Sequence, residues 1–325
     1  MTTIGLIGCG RIGQRHLAAY TTITGCNVVI CDVNGEVAAS VSQAFGVPRV
    51  KAPTCLFSDP SIDAIDVCTP TATHCQLVVA ALEAHKHVFC EKPLCTSLTE
   101  VDQIAAAQHG AGRLVMVGYL YRFSYVCGFV RSVLREGVIG TPHFAILRFG
   151  GRGSQAAWKH RRSESGGASS EMLVHALDLA TWLFDGEIAT LRSLWSSLIL
   201  PRRSIGGAEI IADADDCTLL QGSINGVTVM WQADMVTPAF MQYLDIQGSD
   251  GSIFTSVLPD MPTRIYCREA RHGMQAGLNL FTFPSSDFVA AELNHFVSLV
   301  RGGPVGEIHS VSDSASMLRV LAGLS

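Results

Sequence analysis

Lys92 is the first residue of this chain whose type and setting suggest chemistry. It follows the apolar run "HVFCE" (87–91) and directly precedes Pro93. Because proline disfavours the helical conformation for the residue before it, Lys92 is predicted to lie on an extended corner at a strand end. In open α/β sheets, ligands bind just beyond such strand ends. The alternative is a solvated lysine at a surface turn.

A histidine flanked by two carboxylates is the second candidate. Glu171, His175 and Asp178 are spaced so that on a helix they share one face. A carboxylate can orient the imidazole ring and raise its basicity, which suits a proton acceptor. An ordinary ion pair on a polar helix face is an equally open interpretation. A metal site is the weaker one because no fourth ligand stands out, and we predict no metal.

The segment "GCGRIG" (8–13) matches the G-x-G-x-x-G pattern. It follows an apolar run, opens a helix pattern, and is followed by Asp32 nineteen residues after Gly13. This context predicts a dinucleotide site with the pyrophosphate at the helix N-terminus. Asp32 would accept hydrogen bonds from the ribose hydroxyls and repel a 2′-phosphate, which favours NAD over NADP. A Gly-rich turn with a capping aspartate is the alternative. The predicted loop contacts are Gly8, Gly10, Arg11, Ile12 and Gly13.

A second strand end, "CTPTATH" (68–74), adds candidates for the nicotinamide side of the cofactor. It places Thr69 and Pro70 beyond an apolar run and His74 at a helix start. We predict cofactor contacts from these residues and from Glu91 and Lys92. For His74, a purely structural hydrogen bond remains an equal alternative.

Alternating strand and helix patterns must position these residues. Apolar runs at 3–8, 27–32, 64–69, 87–91 and 113–118 are separated by helix patterns, which predicts a parallel sheet with helices on both faces. The fold class is therefore α/β at the N-terminus. We predict a Rossmann dinucleotide-binding domain over residues 1–121.

After about residue 122 the pattern changes to strands joined by tight turns. Asn225-Gly226 is a strong hairpin signal, and Asp250-Gly251 predicts another turn. Helices are predicted over 166–184 and over 287–303, the latter stopped by glycines. Residues 122–325 are predicted to form an α+β domain with a large, mostly antiparallel open sheet, used for substrate binding and oligomerisation.

Composition excludes several classes of function. The chain has 325 residues, of which 48% are hydrophobic and 16% charged, with a net charge of −5. The negative charge argues against a nucleic-acid partner, and no run approaches the roughly eighteen apolar residues of a spanning helix. Low surface charge indicates self-association as a homodimer or homotetramer. The eleven cysteines lack CxxC spacing, and no signal peptide is evident, which predicts a cytoplasmic protein with reduced thiols.

Together, "GCGRIGQRH", "CTPTATH", "CEKP", "VGYLYRF", the glycine-led histidine helix and "AAELNHF" resemble the Gfo/Idh/MocA family of oxidoreductases across nearly the whole chain. The resemblance implies that Lys92 is the catalytic lysine and His175 the acid/base. It also implies a cis peptide bond before Pro93. Inositol-dehydrogenase-like members commonly have aspartate four residues before the histidine, where this chain has Glu171.

The expected activity is hydride transfer between NAD and a secondary alcohol or ketone of a cyclitol or sugar. The substrate pocket is expected between the domains, because an aromatic plate with polar donors suits a polyhydroxylated ring. The basic run Lys159–Arg162 is more readily explained as a solvated loop than as an anion site. Two alternatives are a ketoreductase acting on a sugar-derived or nucleotide-linked intermediate, and a non-catalytic dinucleotide-binding regulator. The candidate lining residues are Tyr121, Arg122, Trp158, Lys159, His160 and Tyr243.

Overall fold

Strands and helices alternate through the first 120 residues, and strands predominate between residues 142 and 281. The computed structural model describes all residues except 153–155, 165, 206, 305, 307 and 324–325. The chain divides into two compact units. The first comprises Met1–Leu120 and Asp287–Leu318, and the second comprises Tyr121–Ser286 and the segment from Arg319 onward.

The strands are β1 (Thr2–Ile7), β2 (Cys26–Cys31), β3 (Arg49–Val50), β4 (Ala64–Val67), β5 (His87–Glu91), β6 (Val115–Gly118), β7 (Pro142–Gly150), β8 (Ile188–Ser197), β9 (Arg202–Ile205), β10 (Ala208–Ile211), β11 (Cys217–Ile224), β12 (Val227–Asp234), β13 (Met241–Gly248), β14 (Gly251–Ser256), β15 (Thr263–Cys267) and β16 (Gly277–Phe281). The α-helices are α1 (Arg11–Thr21), α2 (Gly35–Phe45), α3 (Pro53–Ser58), α4 (His74–Glu83), α5 (Leu98–Ala111), α6 (Tyr125–Arg135), α7 (Val174–Leu183), α8 (Phe288–Val300) and α9 (Val311–Ala322). Short 3-10 helices span Thr71–Thr73, Leu120–Phe123, Ala157–His160 and Arg162–Glu164, and a π-helical turn spans Ser169–Leu173.

The first unit is built on a parallel sheet of six strands. Their order is β3-β2-β1-β4-β5-β6, and every residue of β4 is buried, as expected for a strand covered on both faces. The strand order reverses between β1 and β4, and ligands bind at such a point beyond the carboxyl ends of the strands. The predicted Rossmann architecture is confirmed.

Helix α8 belongs to the first unit, although it follows the second unit in sequence. The Phe296 ring packs edge-on against Phe89 of β5, with ring centroids 5.5 Å apart. Arg301, at the end of α8, donates to Thr2 Oγ1 at 2.9 Å and to Gly25 O at 2.8 Å. The predicted division, which placed all of 122–325 in the second domain, is therefore wrong for Asp287–Leu318.

The second unit is built on an eight-stranded sheet in the order β16-β15-β14-β13-β7-β12-β11-β8. Only the β7–β12 pair among these is parallel, so the predicted mostly antiparallel sheet is confirmed. The Trp231 indole of β12 donates to Ala176 O at 3.2 Å, which fixes α7 against one face of the sheet. The predicted hairpin at Asn225-Gly226 joins β11 to β12, and both residues have positive φ.

Three features were not predicted. Strand β3 has two residues, too few for an alternating pattern. The β9–β10 pair was missed although the two strands flank Gly206-Gly207, a dipeptide typical of hairpin turns. The turn Ser169–Leu173 is π-helical rather than α-helical. Among the described residues, no helix has both the length and the apolar character needed to cross a bilayer.

Candidate active site

The loop after β1 depends on glycine at two positions. Gly8 has a φ of +100°, and a Cβ there would lie 2.5 Å from Cys68 O. A Cβ on Gly13 would lie 1.8 Å from Gly8 O, so this glycine lets α1 approach the loop. A Cβ on Gly10 would meet no atom within 4 Å, so Gly10 borders open space.

Helix α1 begins at this open side of the loop. Gly10 is its N-cap residue and makes no side-chain capping hydrogen bond, so the described residues supply no side-chain acceptor for the first N–H groups. Such an end attracts anions, because the N–H groups and the helix dipole point toward the ligand. Arg11 is exposed and Ile12 half-buried in the first turn. The loop therefore fits a pyrophosphate.

Asp32, beyond β2, is held in place by two backbone N–H groups. Cys9 N donates to Oδ2 at 2.7 Å, and Asn34 N donates to Oδ1 at 2.8 Å. Burial, with a smaller contribution from Asp32, raises the pKa of the Cys9 thiol to about 12, so that side chain is neutral at physiological pH. Asp32 is the fixed negative group beside the loop, as an adenosine ribose requires.

His74 ties the two neighbouring strand-end segments together. Its Nε2 lies 2.8 Å from Thr69 O and its Nδ1 lies 2.9 Å from Pro93 O. The side chain is 1% exposed, and burial lowers its pKa, partly offset by hydrogen bonding to these carbonyls. The structural alternative therefore explains His74, and a cofactor contact through its side chain does not fit this geometry. Thr69 and Pro70 lie at the predicted strand end, and Thr73 Oγ1 donates to Thr69 Oγ1 at 2.7 Å.

Lys92 directly follows β5, as the sequence predicts, and the Lys92–Pro93 peptide bond is cis. The backbone N–H of Lys92 donates to Glu91 Oε2 at 3.2 Å. The other oxygen of Glu91 lies 3.1 Å from His16 Nε2. Both oxygens of Glu91 thus have partners within the unit, and the cofactor contact of Glu91 stays a prediction.

The sequence did not reveal a buried cluster around His16. His16 Nδ1 lies 2.9 Å from Asp66 Oδ2 and 3.2 Å from Cys68 Sγ, and Cys68 Sγ lies 3.3 Å from Asp66 Oδ1. These three residues could supply ligand atoms for a metal, but their separations are those of direct hydrogen bonds. We interpret the group as a hydrogen-bonded cluster. Only the sheet order, which places β4 between β1 and β5, brings its members together.

In the second unit, two glycines bring Lys159 to the histidine helix. A Cβ on Gly166 would lie 2.5 Å from Lys159 C, and Gly167 has a φ of +116°. Gly167 N donates to Lys159 O at 2.9 Å. Lys159 Nζ then donates to Glu171 Oε2 within the π-helical turn. The predicted basic run thus contributes one lysine to an ion pair with a predicted catalytic carboxylate.

Two residues of the 3-10 helix Leu120–Phe123 contact α7. The Tyr121 ring contacts the His175 ring edge-on, with centroids 5.2 Å apart, and Tyr121 Oη donates to Gln242 Oε1. Arg122 donates to both oxygens of Asp178, at 3.1 Å and 2.5 Å, and both side chains are buried. His175 and Asp178 therefore share one face, as predicted. Arg122 therefore forms a buried ion pair with Asp178, and its contact with the substrate stays a prediction.

Tyr243 lies on the opposite face of the sheet from this group. Its neighbour Gln242 contacts Tyr121, and successive strand residues point to opposite faces. Tyr243 pairs in register with Arg148, whose guanidinium lies 5.8 Å from its ring centroid. The prediction that Tyr243 joins the other substrate candidates is therefore wrong. Trp158 is half-buried, 5.1 Å from Lys159 Nζ, whereas His160 is buried.

Comparisons with known proteins agree with this arrangement. Residues 2–119 match the family model described as "Oxidoreductase family, NAD-binding Rossmann fold", and residues 129–254 match "GFO/IDH/MocA C-terminal domain". A myo-inositol 2-dehydrogenase of Thermotoga maritima is 28% identical over 323 residues, which are 98% of this chain and 93% of the relative. An uncharacterized oxidoreductase of Bacillus subtilis, YrbE, is 30% identical over 76% of this chain and 72% of its own.

Solved structures give the same fold. A levoglucosan dehydrogenase in complex with NADH and levoglucosan superimposes with a TM-score of 0.85, over 100% of this chain and 98% of that one, at 22% identity. The family match confirms the predictions of an oxidoreductase and of NAD as its cofactor. The chain therefore belongs to the GFO/IDH/MocA family of oxidoreductases, with an NAD-binding Rossmann unit and the family's C-terminal domain.

Proposed function

We propose that this protein is an inositol-dehydrogenase-like enzyme that oxidises a secondary alcohol of a cyclitol or sugar with NAD, or reduces the corresponding ketone. One observation carries the proposal. The same chain combines a dinucleotide loop and Asp32 with a lysine at a strand end, Lys92, and a histidine on a helix, His175. The relatives named for myo-inositol and levoglucosan support the substrate class, since both are polyhydroxylated rings.

In the proposed reaction, His175 accepts the proton of the substrate hydroxyl. Lys92 donates a hydrogen bond to the same oxygen and stabilises the charge that develops on it. When bound, NAD supplies the acceptor for the hydride that leaves the substrate carbon. For ketone reduction, His175 returns the proton to the oxygen. Tyr121, edge-on to His175, restricts the orientation of that ring.

We propose that Trp158 and Lys159 contribute to the substrate pocket and that Glu171 acts through its ion pair with Lys159. Glutamate has one methylene more than the aspartate that the family resemblance leads us to expect at this position. The longer side chain suits a carboxylate that forms an ion pair with Lys159 and orients the neighbouring side chains. Arg122 acts through Asp178, which it neutralises beneath His175.

We further propose a homodimer or homotetramer formed through the open face of the eight-stranded sheet. The cross-strand register places Tyr243, Tyr266 and Leu278 on this face, together with Trp195. Tyr266 and Leu278 are about half exposed, and apolar patches of this kind mark interaction sites. Light scattering should give at least a dimer at micromolar concentration, and a monomer would contradict the proposal.

A cytoplasmic location is part of the proposal. All eleven cysteines are free thiols, as expected in a reducing compartment. Burial raises the pKa of most of them, including that of Cys127 to about 12, which keeps them unreactive.

The function can be tested with a panel of cyclitols, aldoses and sugar acids incubated with NAD or NADP, read by the fluorescence of the reduced nicotinamide. We expect turnover with NAD and at least one polyhydroxylated ring. Calorimetry with NAD serves as the control for cofactor binding. NAD binding without turnover of any panel member, in either direction, would contradict the proposal and favour the regulator.

A further inference from the structure

His16 is buried between two carboxylates that come from different strands. Its ring lies against Phe89, with centroids 5.5 Å apart, and its side chain is fully buried. Asp66 Oδ2 faces Nδ1 at 2.9 Å, and Glu91 Oε1 faces Nε2 at 3.1 Å. Every polar contact of the ring is thus made inside the first unit.

The two carboxylates define the protonation state of the ring. An ionised carboxylate can only accept a hydrogen bond, whereas a neutral imidazole carries a single N–H. Both contacts are satisfied together when both ring nitrogens are protonated. Burial by itself lowers the pKa of His16, but the charge of Asp66 and the hydrogen bonds from the ring to Asp66 and Cys68 raise it well above its ordinary value.

The other titratable groups facing the ring are neutral at physiological pH. Burial is the main cause that raises the pKa of the Cys68 thiol, with a further contribution from Asp66. Burial and Asp66 likewise raise the pKa of Tyr20, one turn further along α1. The charged members are therefore Asp66, His16 and Glu91. One positive charge lies between two negative charges, which lowers the cost of burying them.

Glu91 connects this cluster to the proposed catalytic lysine. Its second oxygen, Oε2, accepts the backbone N–H of Lys92 at 3.2 Å. Gly118 provides the space, because a Cβ at that position would lie 3.3 Å from Glu91 Oε1. The chain of contacts runs from α1 through His16 and Glu91 to the backbone of Lys92.

We propose that His16 is a positioning residue, held as an imidazolium between Asp66 and Glu91, whose charge fixes Glu91 and thereby the corner that carries Lys92. This inference rests on the proposed role of Lys92 in the reaction. Since reacting groups displaced by about 1 Å can lose on the order of a hundredfold in rate, His16→Gln should lower kcat by about ten- to a hundredfold. The dissociation constant for NAD should change by less than about twofold.

His74 is a matched control in the same unit. It is equally buried, and both its nitrogens also lie at hydrogen-bond distance from oxygen atoms, but these are the backbone carbonyls of Thr69 and Pro93. Burial lowers its pKa, so the ring is neutral at physiological pH. His74 shares the burial of His16, but its ring nitrogens contact backbone carbonyls instead of carboxylates.

The protonation state can be measured without any substrate. Proton–nitrogen NMR spectra of the ¹⁵N-histidine-labelled wild-type protein at pH 8 should show two protonated ring nitrogens for His16 and one for His74. The variants His16→Gln and His74→Gln assign the signals. A His16 ring with one protonated nitrogen at pH 8 would overturn the proposal. This measurement is independent of Lys92, so it separates failure of this inference from failure of the proposed activity.

A kinetic coupling tests the positioning role. If His16 acts through Glu91, His16→Gln combined with Glu91→Gln should lose no more kcat than the more impaired single variant. Multiplying losses for His16→Gln and Glu91→Gln, or an unchanged kcat in both single variants, would overturn the positioning role. If His16→Gln fails to fold, Glu91→Gln in the wild-type background still reports whether this contact affects kcat.

Stability against pH supplies a further readout. A pKa raised on folding contributes stability that is fully present below the unfolded value of about 6.5 and is lost as pH rises through the folded value. The difference in unfolding temperature between wild type and His16→Gln should therefore be largest near pH 6 and shrink in the alkaline range. A difference that is constant from pH 6 to pH 10 would contradict a charged His16.

Discussion

At the carboxyl edge of the six-stranded sheet the candidate side chains are placed mainly by the backbone, whereas on α7 they are held mainly by ion pairs. Asp32 and Lys92 each follow a strand directly, and backbone N–H groups fix Asp32 and Glu91. On the histidine helix, Asp178 is paired with Arg122 and Glu171 with Lys159.

This difference has consequences for substitution. A corner at a strand end keeps its backbone course when its own outward side chain is changed, as in Lys92→Ala. A carboxylate held by a buried cation loses its compensation when that cation is removed. We therefore expect substitutions at the sheet edge to affect turnover or cofactor choice with little effect on folding, and substitutions around α7 to affect both.

The largest effects should come from the two proposed catalytic residues. Because general acid–base catalysis contributes about a hundred- to ten-thousandfold, Lys92→Ala and His175→Ala should each reduce kcat on that scale. Affinity for NAD, measured by calorimetry, should change little. If both act on one substrate hydroxyl, the double variant should be far less impaired than the product of the single losses. Near-normal turnover in Lys92→Ala would contradict the mechanism.

Removal of the cation beneath α7 should have the next largest effect, on stability. Arg122→Ala leaves Asp178 buried without its partner, which typically costs about 3–5 kcal/mol of unfolding free energy. Chemical denaturation measures this loss. The control is Arg161→Ala, since the Arg161–Glu164 pair is about half exposed and such pairs contribute about 0–1 kcal/mol. Similar losses of unfolding free energy in the two variants would contradict the larger role given to the buried Arg122–Asp178 pair.

Asp32→Ala should change cofactor choice at the sheet edge. The variant loses hydrogen bonds to the ribose and the negative charge that disfavours a 2′-phosphate. Hydrogen bonds to charged groups contribute about 1.5–3 kcal/mol, so affinity for NAD should fall by about ten- to a hundredfold while the preference over NADP narrows. Calorimetry with both dinucleotides measures the change. Tighter binding of NADP by the wild-type protein would show that Asp32 has been misassigned.

Glu171→Gln should have a smaller effect on activity than His175→Ala. In Glu171→Gln the side chain keeps its shape but loses its charge and its ion pair with Lys159. If Glu171 orients the neighbouring side chains through Lys159, the pH dependence of kcat should therefore shift. Glu164→Gln, in the exposed pair with Arg161, is the matched control and should leave the profile unchanged. A loss as large as that of His175→Ala would give Glu171 a direct catalytic role.

The smallest effect should come from a helix cap beside Asp32. The Asn34 side chain accepts from Glu36 N and Val37 N at the start of α2. Asn34→Ala should lower the unfolding free energy by about 1 kcal/mol, with little change in kcat. A large loss of turnover in Asn34→Ala would mean that cofactor binding depends on the Asn34 cap of α2 as well as on the backbone at the edge of the six-stranded sheet.

The sequence predicted the sheet edge better than the helix region. Contiguous motifs around Gly8, Asp32 and Lys92 carry their own local geometry, and their strand-helix context was readable from periodicity. The position of Tyr243 was not readable, because moving the strand register by one residue exchanges its face with that of Gln242. The ion pair between Arg122 and Asp178 could not be predicted from the sequence either, because these residues are 56 positions apart.

The cluster of His16, Asp66 and Glu91 could not be predicted from the sequence either. Each residue sits in a recognisable motif, but the contacts among them depend on which strands are neighbours. The π-helical turn at Ser169–Leu173 also escaped prediction, since its residues fit an α-helix equally well. Sequence patterns thus identified the elements and most candidate side chains, while pairing and face required the tertiary structure.

The return of α8 to the first unit constrains the order of events during protein synthesis. The core around Phe89 is completed by Phe296, which the ribosome makes about 200 residues later. At about 5–20 residues per second, the nascent first unit waits on the order of tens of seconds for α8. During that interval Tyr121–Ser286 of the second unit are synthesised. A chaperone that covers the incomplete apolar surface would protect the newborn chain until α8 arrives.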